Sequence, residues 1–186
     1  LDLWPRYLRE EHEVLEALGG DATCEAAVGA MPRGLRRLFG AAYQAYLFNL
    51  LLDERLPAID RLERGDLAIL HAKGAFFLVE DPGAEQPRAD RLEISPSGPL
   101  YGFKVRLARE EVGDREHGLL RSEGLRLDDF RKTRGAHMVG ERRPFRVPLE
   151  EVGAEQEGSD LLLRFTLPSG AYATNVLREV TKTDVA

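Results

Sequence analysis

The sequence predicts an α+β fold, a helical N-terminal part followed by a mainly antiparallel sheet, with one more helix at the end. Three observations predict it. Helical spacing of apolar residues dominates up to residue 56, period-two alternation and short apolar runs replace it from Gly65 onward, and helical spacing returns only after Gly170. Helices segregated from strands along the chain point to α+β rather than to a βαβ alternation.

Residues 7–18 read as the first helix, with Leu8, Glu11, Leu15 and Leu18 near one face and the Gly19-Gly20 pair as its stop. Asp21 is placed to cap a short second helix that runs to Met31, and Pro32 separates that helix from the next. The third helix covers residues 35–56. Positions 35, 38, 42, 45, 49, 52 and 56 read Leu, Leu, Ala, Ala, Asn, Leu and Leu, an alternation of three and four that puts them on one stripe. Phe39, Tyr43, Leu47, Leu50 and Leu51 widen the apolar surface, so this helix is expected to pack on more than one side, and Pro57 ends it. Asn49 in that stripe is expected to be a buried amide clamped to a neighbouring loop, since burying it unpaired is costly.

DLAIL (66–70) and AFFLVE (75–80), joined across Lys73-Gly74, read as a β-hairpin. A Pro- and Gly-rich loop follows and contains ISPSGPLYG (94–102), whose closely spaced prolines and glycines exclude regular structure on this reading. Residues 119–130 form a candidate helix interrupted by Gly124. Residues 145–149 and 161–167 are strand candidates, Pro168-Ser169-Gly170 breaks the pattern, and Ala173, Val176, Leu177 and Val180 mark the last helix.

Composition narrows the function classes. The longest near-apolar stretch, 46–52, contains Asn49 and is far below the roughly 20 residues that span a bilayer. The acidic opening lacks the basic start and apolar core of a secretory signal, so no targeting peptide is expected, and cysteine usage makes a reducing cytoplasm the default expectation. Because the chain starts with Leu1 instead of Met, it reads as a processed product or a fragment. A single cysteine, Cys24, excludes an internal disulfide and multi-cysteine zinc patterns, and the four histidines share no ligand spacing, so no metal is expected.

The net charge of −6 argues against a nucleic-acid coat held by bulk charge, but the charge is segregated. Residues 131–146 carry six Lys or Arg against one Glu, and residues 150–160 carry five acids and no base. The Arg142-Arg143 pair before the 145–149 strand is either a phosphate-contacting edge or a solvated surface loop. FTLPSGAYATNVLRE (165–179) gives a strand, a glycine turn and a helix start. Its unpaired N–H groups can hold an anion, and Tyr172 at the helix start can stack on a base; alternatively Gly170 only turns the chain and Tyr172 packs on the sheet. Asp66 and Asp128-Asp129 have turn or cap explanations, and no hydrolase, nucleotide-loop or metalloprotease motif is present, so spacing alone assembles no catalytic set.

Five segments occur together in order: AAYQAYLFNLLLDERL (41–56), GDLAIL (65–70), SPSGPLYGFK (95–104), RRPFRV (142–147) and LPSGAYATNVLREV (167–180). In this set the chain resembles the TruD-type tRNA pseudouridine synthases. The resemblance implies isomerisation of a uridine in tRNA to pseudouridine with no cofactor and no metal. An aspartate acts as nucleophile, and the base, flipped from its stack, detaches, rotates and rejoins through carbon. It also implies a domain plan: residues 1–32 as the helical lead-in of a catalytic domain, 33–147 as the family's inserted domain, and 148–186 as the return into the catalytic domain, ending in its strand-turn-helix. The aromatic of the family's PxGxxAT turn lines the uridine pocket, and Tyr172 holds that position. Arg142 and Arg143 are the expected RNA contacts. The family's aspartate motif has no counterpart here, so no catalytic residue is expected in this chain, the nucleophile is expected upstream, and the chain alone is expected to be inactive for want of an N-terminal catalytic half. The other class of function left open is a free-standing module that binds structured RNA without chemistry.

Overall fold

The computed structural model describes residues 9–20, 23–132 and 138–182. The chain divides into two compact units. One takes in the described residues of Leu1–Leu56, Gly98–Leu107 and Gly113–Arg143; the other takes in those of Pro57–Ser97, Ala108–Val112 and Pro144–Ala186. These bounds differ from the 1–32, 33–147 and 148–186 plan.

In the first unit, α1 (Arg9–Gly19) stops where expected, with the Gly20 N–H donating to the Glu16 carbonyl at 3.1 Å. The helix α2 (Cys24–Ala30) is capped by Thr23, whose hydroxyl accepts from the Ala26 N–H at 3.2 Å; Asp21 lies outside the described residues. Pro32 then opens α3 (Arg33–Arg55), 23 residues long. Its existence agrees with the sequence, but its buried face does not. Leu47, Phe48, Leu51 and Arg55 are buried, while Leu38 of the expected stripe is 61% exposed and Asn49 is exposed too. Apolar residues on every side of α3 make two stripes of equal spacing possible, and a period carries no phase. Asn49 therefore clamps nothing in a core.

Tyr101 is fully buried in this unit, its hydroxyl donating to the Glu116 carbonyl at 2.7 Å and its ring stacked on Phe130 at 6.4 Å between centroids. Gln44 of α3 donates its side-chain N–H to the Tyr101 carbonyl. The predicted 119–130 helix is replaced by α5 (Glu110–Ser122), a left-handed Gly124 at φ +68° and a short α6 (Asp129–Lys132). Gly124 thus ends one helix instead of interrupting another.

In the second unit the predicted hairpin is present. β1 (Leu67–Leu70) pairs antiparallel with β2 (Phe76–Leu78), Ile69 opposite Phe76, across a turn with Gly74 at φ +65°. The following stretch is not all loop. Asp81 caps α4 (Pro82–Asp90) by accepting from the Ala84 N–H at 3.2 Å, and Pro82 sits in the first turn, where the missing donor costs nothing. The segment read as irregular is the strand β3 (Ile94–Leu100), registered with β1 through Leu70–Ile94, Ile69–Ser95 and Ala68–Pro96. Pro96 is tolerated because its carbonyl still accepts, here from the Phe145 N–H at 2.9 Å. Leu62, Ala68, Val79, Ala89 and Ile94 form the core of this unit, with Leu70 and Phe77 packed against it.

The four-stranded sheet has the order β2-β1-β3-β4, where β4 is Glu141–Pro144. The strand candidate at 145–149 is corrected by this placement: one strand ends at Pro144 and the next begins at Glu150. β5 (Glu150–Glu157) comes from the acidic stretch and pairs antiparallel with β6 (Asp160–Thr166), which is within one residue of the predicted strand. The final helix α7 (Ala173–Thr181) follows Gly170 as expected and has no buried residue. The architecture is α+β with antiparallel pairing. Among the described residues no helix is long and apolar enough to cross a membrane.

Candidate functional site

The turn before α7 is built by backbone. The Ala171 N–H donates to the Pro168 carbonyl at 3.1 Å, and Gly170 adopts φ +87°, a conformation that only glycine enters without strain. Tyr172 follows as the N-cap in extended conformation; its carbonyl accepts from the Asn175 N–H at 3.1 Å, and its side chain makes no capping bond. The ring is 67% exposed. An exposed aromatic at this position is available to a ligand, and the alternative in which it packs on the sheet does not hold.

The two arginines at β4 separate. Arg142 is buried and forms an ion pair with Glu116 at 2.8 Å, both side chains nearly fully enclosed, and it also donates to the Arg106 carbonyl at 3.3 Å. This corrects the expectation that Arg142 contacts RNA. Strand alternation turns neighbours to opposite faces, and Arg142 falls on the inner one. Arg143 is half-buried, with its guanidinium 5.7 Å from the centre of the Phe48 ring.

The other described cations near this run each have a contact within their own unit. Arg131 lies 4.5 Å over the Phe103 ring in the first unit, and Lys104 lies 5.7 Å from the same ring. Arg146 belongs to the second unit, where it donates to the Ala89 carbonyl at 3.0 Å, and burial lowers its pKa. Residues 133–137 of the run are outside the described residues.

Near Arg146 is a cluster that sequence reasoning missed. His71 makes a 2.8 Å hydrogen bond through Nε2 with the hydroxyl of fully buried Ser95, and its pKa is lowered, first by burial and then by the Arg146 charge. Nothing in the sequence signalled it, because His71 and Ser95 become neighbours only through the pairing of β1 with β3. The carboxylates keep their bland roles: Asp66 accepts from the Glu63 N–H at 2.7 Å, and Asp129 accepts from the Arg126 N–H at 2.9 Å.

The first unit also holds a cleft of about 280 Å3. Arg37, Ala41 and Gln44 of α3 line it, with Leu100 and the segment Met138, Val139, Gly140 and Glu141. That segment is fixed to residues 102–104: the Phe103 and Lys104 N–H groups donate to the Met138 and Val139 carbonyls at 3.1 and 2.9 Å. Gly102 and Gly140 make the close approach possible, since a Cβ on Gly102 would lie 2.2 Å from the Gly140 nitrogen.

Comparison with known proteins agrees with the fold. The profile of the family described as tRNA pseudouridine synthase D (TruD) matches residues 1–180. The chain is 48% identical over 181 residues to a tRNA pseudouridine synthase D of Syntrophotalea carbinolica, covering 97% of this chain and 46% of that protein. It is 46% identical over 152 residues to the one from Thermus thermophilus, covering 81% and 41%. Among solved structures it superimposes with a TM-score of 0.76 on a TruD-assigned protein of Methanosarcina mazei, 25% identical, covering 97% of this chain and 46% of that one. The chain spans about half the length of the curated relatives it matches.

Proposed function

The chain belongs to the tRNA pseudouridine synthase D (TruD) family, and from that premise we propose that it supplies the inserted domain and one wall of the uridine pocket to an enzyme that isomerises a uridine of tRNA in the cytoplasm. The observation that carries this reading is the family match across residues 1–180 at about half the length of the relatives. The reaction breaks the bond between uracil N1 and the ribose C1′, forms one from C5 to the same carbon, and exchanges protons, C5 losing one to water and N1 taking one up. A nucleophilic aspartate belongs to this chemistry, and on this reading it lies in sequence upstream of the chain, in line with residues 1–32 and 148–186 being parts of the catalytic domain and 33–147 the insert.

Tyr172 is assigned to the face of the flipped uracil, where a ring that is exposed at the glycine turn before α7 can stack on it. Arg143 is assigned to the RNA backbone, and Arg142 to holding β4 in place through Glu116. The test uses tRNA carrying tritium at uridine C5. Tritium is expected to appear in water when this chain is joined to the N-terminal half of a curated relative, and not with the chain alone. Release by the 186-residue chain alone would sink the placement of the nucleophile upstream; tRNA binding with no release by the joined protein would favour a module that binds RNA without chemistry.

A further inference from the structure

We propose that the cleft of the first unit is a second nucleotide subsite, built for a guanine of the bound RNA and containing none of the residues assigned to the uridine. The inference rests on the reading that tRNA is the substrate. At about 280 Å3 the cleft has room for one base. Its floor and sides are Ala41, Leu100, Met138 and Val139, and two opposite charges, Arg37 and Glu141, share it.

Both charges are exposed at the mouth of the cleft and so are open to a ligand. Among the described residues neither Arg37 nor Glu141 has an ion-pair partner, whereas Arg142, the very next residue, is enclosed with Glu116. A carboxylate offers only acceptors. Of the four RNA bases, guanine alone presents two adjacent N–H donors on its pairing edge, from N1 and the 2-amino group. Uracil offers one donor between two carbonyls, which a carboxylate repels, and adenine and cytosine place a bare ring nitrogen beside the amine. Glu141 therefore selects guanine, and Arg37 supplies the cation for a phosphate.

The walls are set before any ligand arrives. Met138 is seated against Gly40: its Sδ and Cε lie 3.1 Å from where a Cβ on residue 40 would stand, so any larger residue there displaces it. A polarisable thioether at that position suits an aromatic ring. Gln44 is tied to the Tyr101 carbonyl, and the Gly102–Gly140 contact fixes the segment that carries Met138 and Glu141.

The test is titration of the 186-residue chain with guanosine 5′-monophosphate and uridine 5′-monophosphate, read on the methyl resonances of Met138 and Met31. Guanosine monophosphate is expected to shift Met138 saturably at a concentration at least about tenfold below uridine monophosphate, as for a bidentate base contact. Met31 should not move, which serves as the check on folding. Glu141→Gln should erase the preference, and Arg37→Ala should reduce the nucleotide to the affinity of plain guanosine. A Met138 signal unmoved by guanosine monophosphate, or moved equally by both nucleotides, overturns the subsite. Retention of tRNA is measured alongside: tRNA bound without guanine preference removes this inference and leaves the substrate reading standing, whereas guanine preference without tRNA retention overturns RNA as the source of the base.

Discussion

Glu116 and Arg142 show how one residue's number of neighbours decides its role. Both side chains are almost fully enclosed, so removing one takes from the other the opposite charge it holds at 2.8 Å inside the protein. Glu116→Leu is expected to cost about 3–5 kcal/mol in denaturant unfolding, and Glu116→Leu with Arg142→Met should recover much of that loss. Arg143→Ala, one position on, should leave the unfolding midpoint nearly unchanged and weaken tRNA binding. If instead Arg142→Met weakens tRNA binding without affecting stability, the assignment of the two arginines is reversed. Tyr172→Ala in the complete enzyme is expected to lower kcat by roughly 10- to 100-fold, the range of one base–aromatic stack, with tRNA affinity little changed. An equal loss in both would make Tyr172 a general RNA contact. His71 adds a pH dependence whose sign follows from its lowered pKa. The unfolded chain binds the proton first, near pH 6.5, so stability is full above that pH and falls as the pH drops below it toward the folded pKa. His71→Gln should flatten the dependence of unfolding free energy on pH below about 6.5; an unchanged slope would show that another group sets it.

At the scale of elements, what was legible depended on whether local chemistry and pairing agreed. The hairpin of β1 and β2, the strand β6 and the helix α7 all have matching pattern and turn residues, and the sequence places them within a residue or two. β3 was illegible because Pro96, Gly98 and Pro99 speak against a strand locally, while Ser95 and Ser97 inside it are buried with partners brought from β1, His71 and the Leu67 carbonyl. α4 was hidden by Pro82 and Pro87, and β5 by its acids, which a strand exposed along almost its whole length can carry. For α3 the period was right and the phase wrong, since only the neighbours of Leu47 and Leu51 settle which stripe turns inward. The glycine turn and helix start around Tyr172 were legible in the sequence, and the cleft was not, because its residues come from positions as far apart as Arg37 and Glu141. One contact between elements can be tested directly. Gly102→Ala puts a Cβ 2.2 Å from the Gly140 nitrogen, backbone against backbone, so it is expected to destabilise by about 1–3 kcal/mol or more and to disturb Met138 in the cleft. A neutral Gly102→Ala would mean that the 102–104 and 138–140 segments are not held together.

The chain as a whole leaves much apolar surface uncovered in the piece that ends it. Val152 is 67% exposed, and Leu149, Leu161, Leu162, Tyr172 and Val180 are exposed with it. A two-stranded sheet such as β5 with β6 is marginal in water by itself, and α7 buries nothing that would brace it. Exposed apolar side chains that adjoin one another mark surfaces that meet a partner. The relatives have about as much additional sequence as this chain has in total, which on the proposed reading is the catalytic half that covers β5, β6 and α7. Hydrogen exchange on the 186-residue chain should therefore find the amides of β1, β3 and α5 protected and those of β6 and α7 exchanging with little protection. Joined to the N-terminal half of a relative, the same β6 and α7 amides should slow by orders of magnitude, and C5 tritium release from tRNA should appear in the same preparation. If β6 and α7 are already as protected as β1 in the chain alone, their exposed side chains need no covering half. If they become protected without tritium release, the covering half is present but the nucleophile is not where the family resemblance puts it.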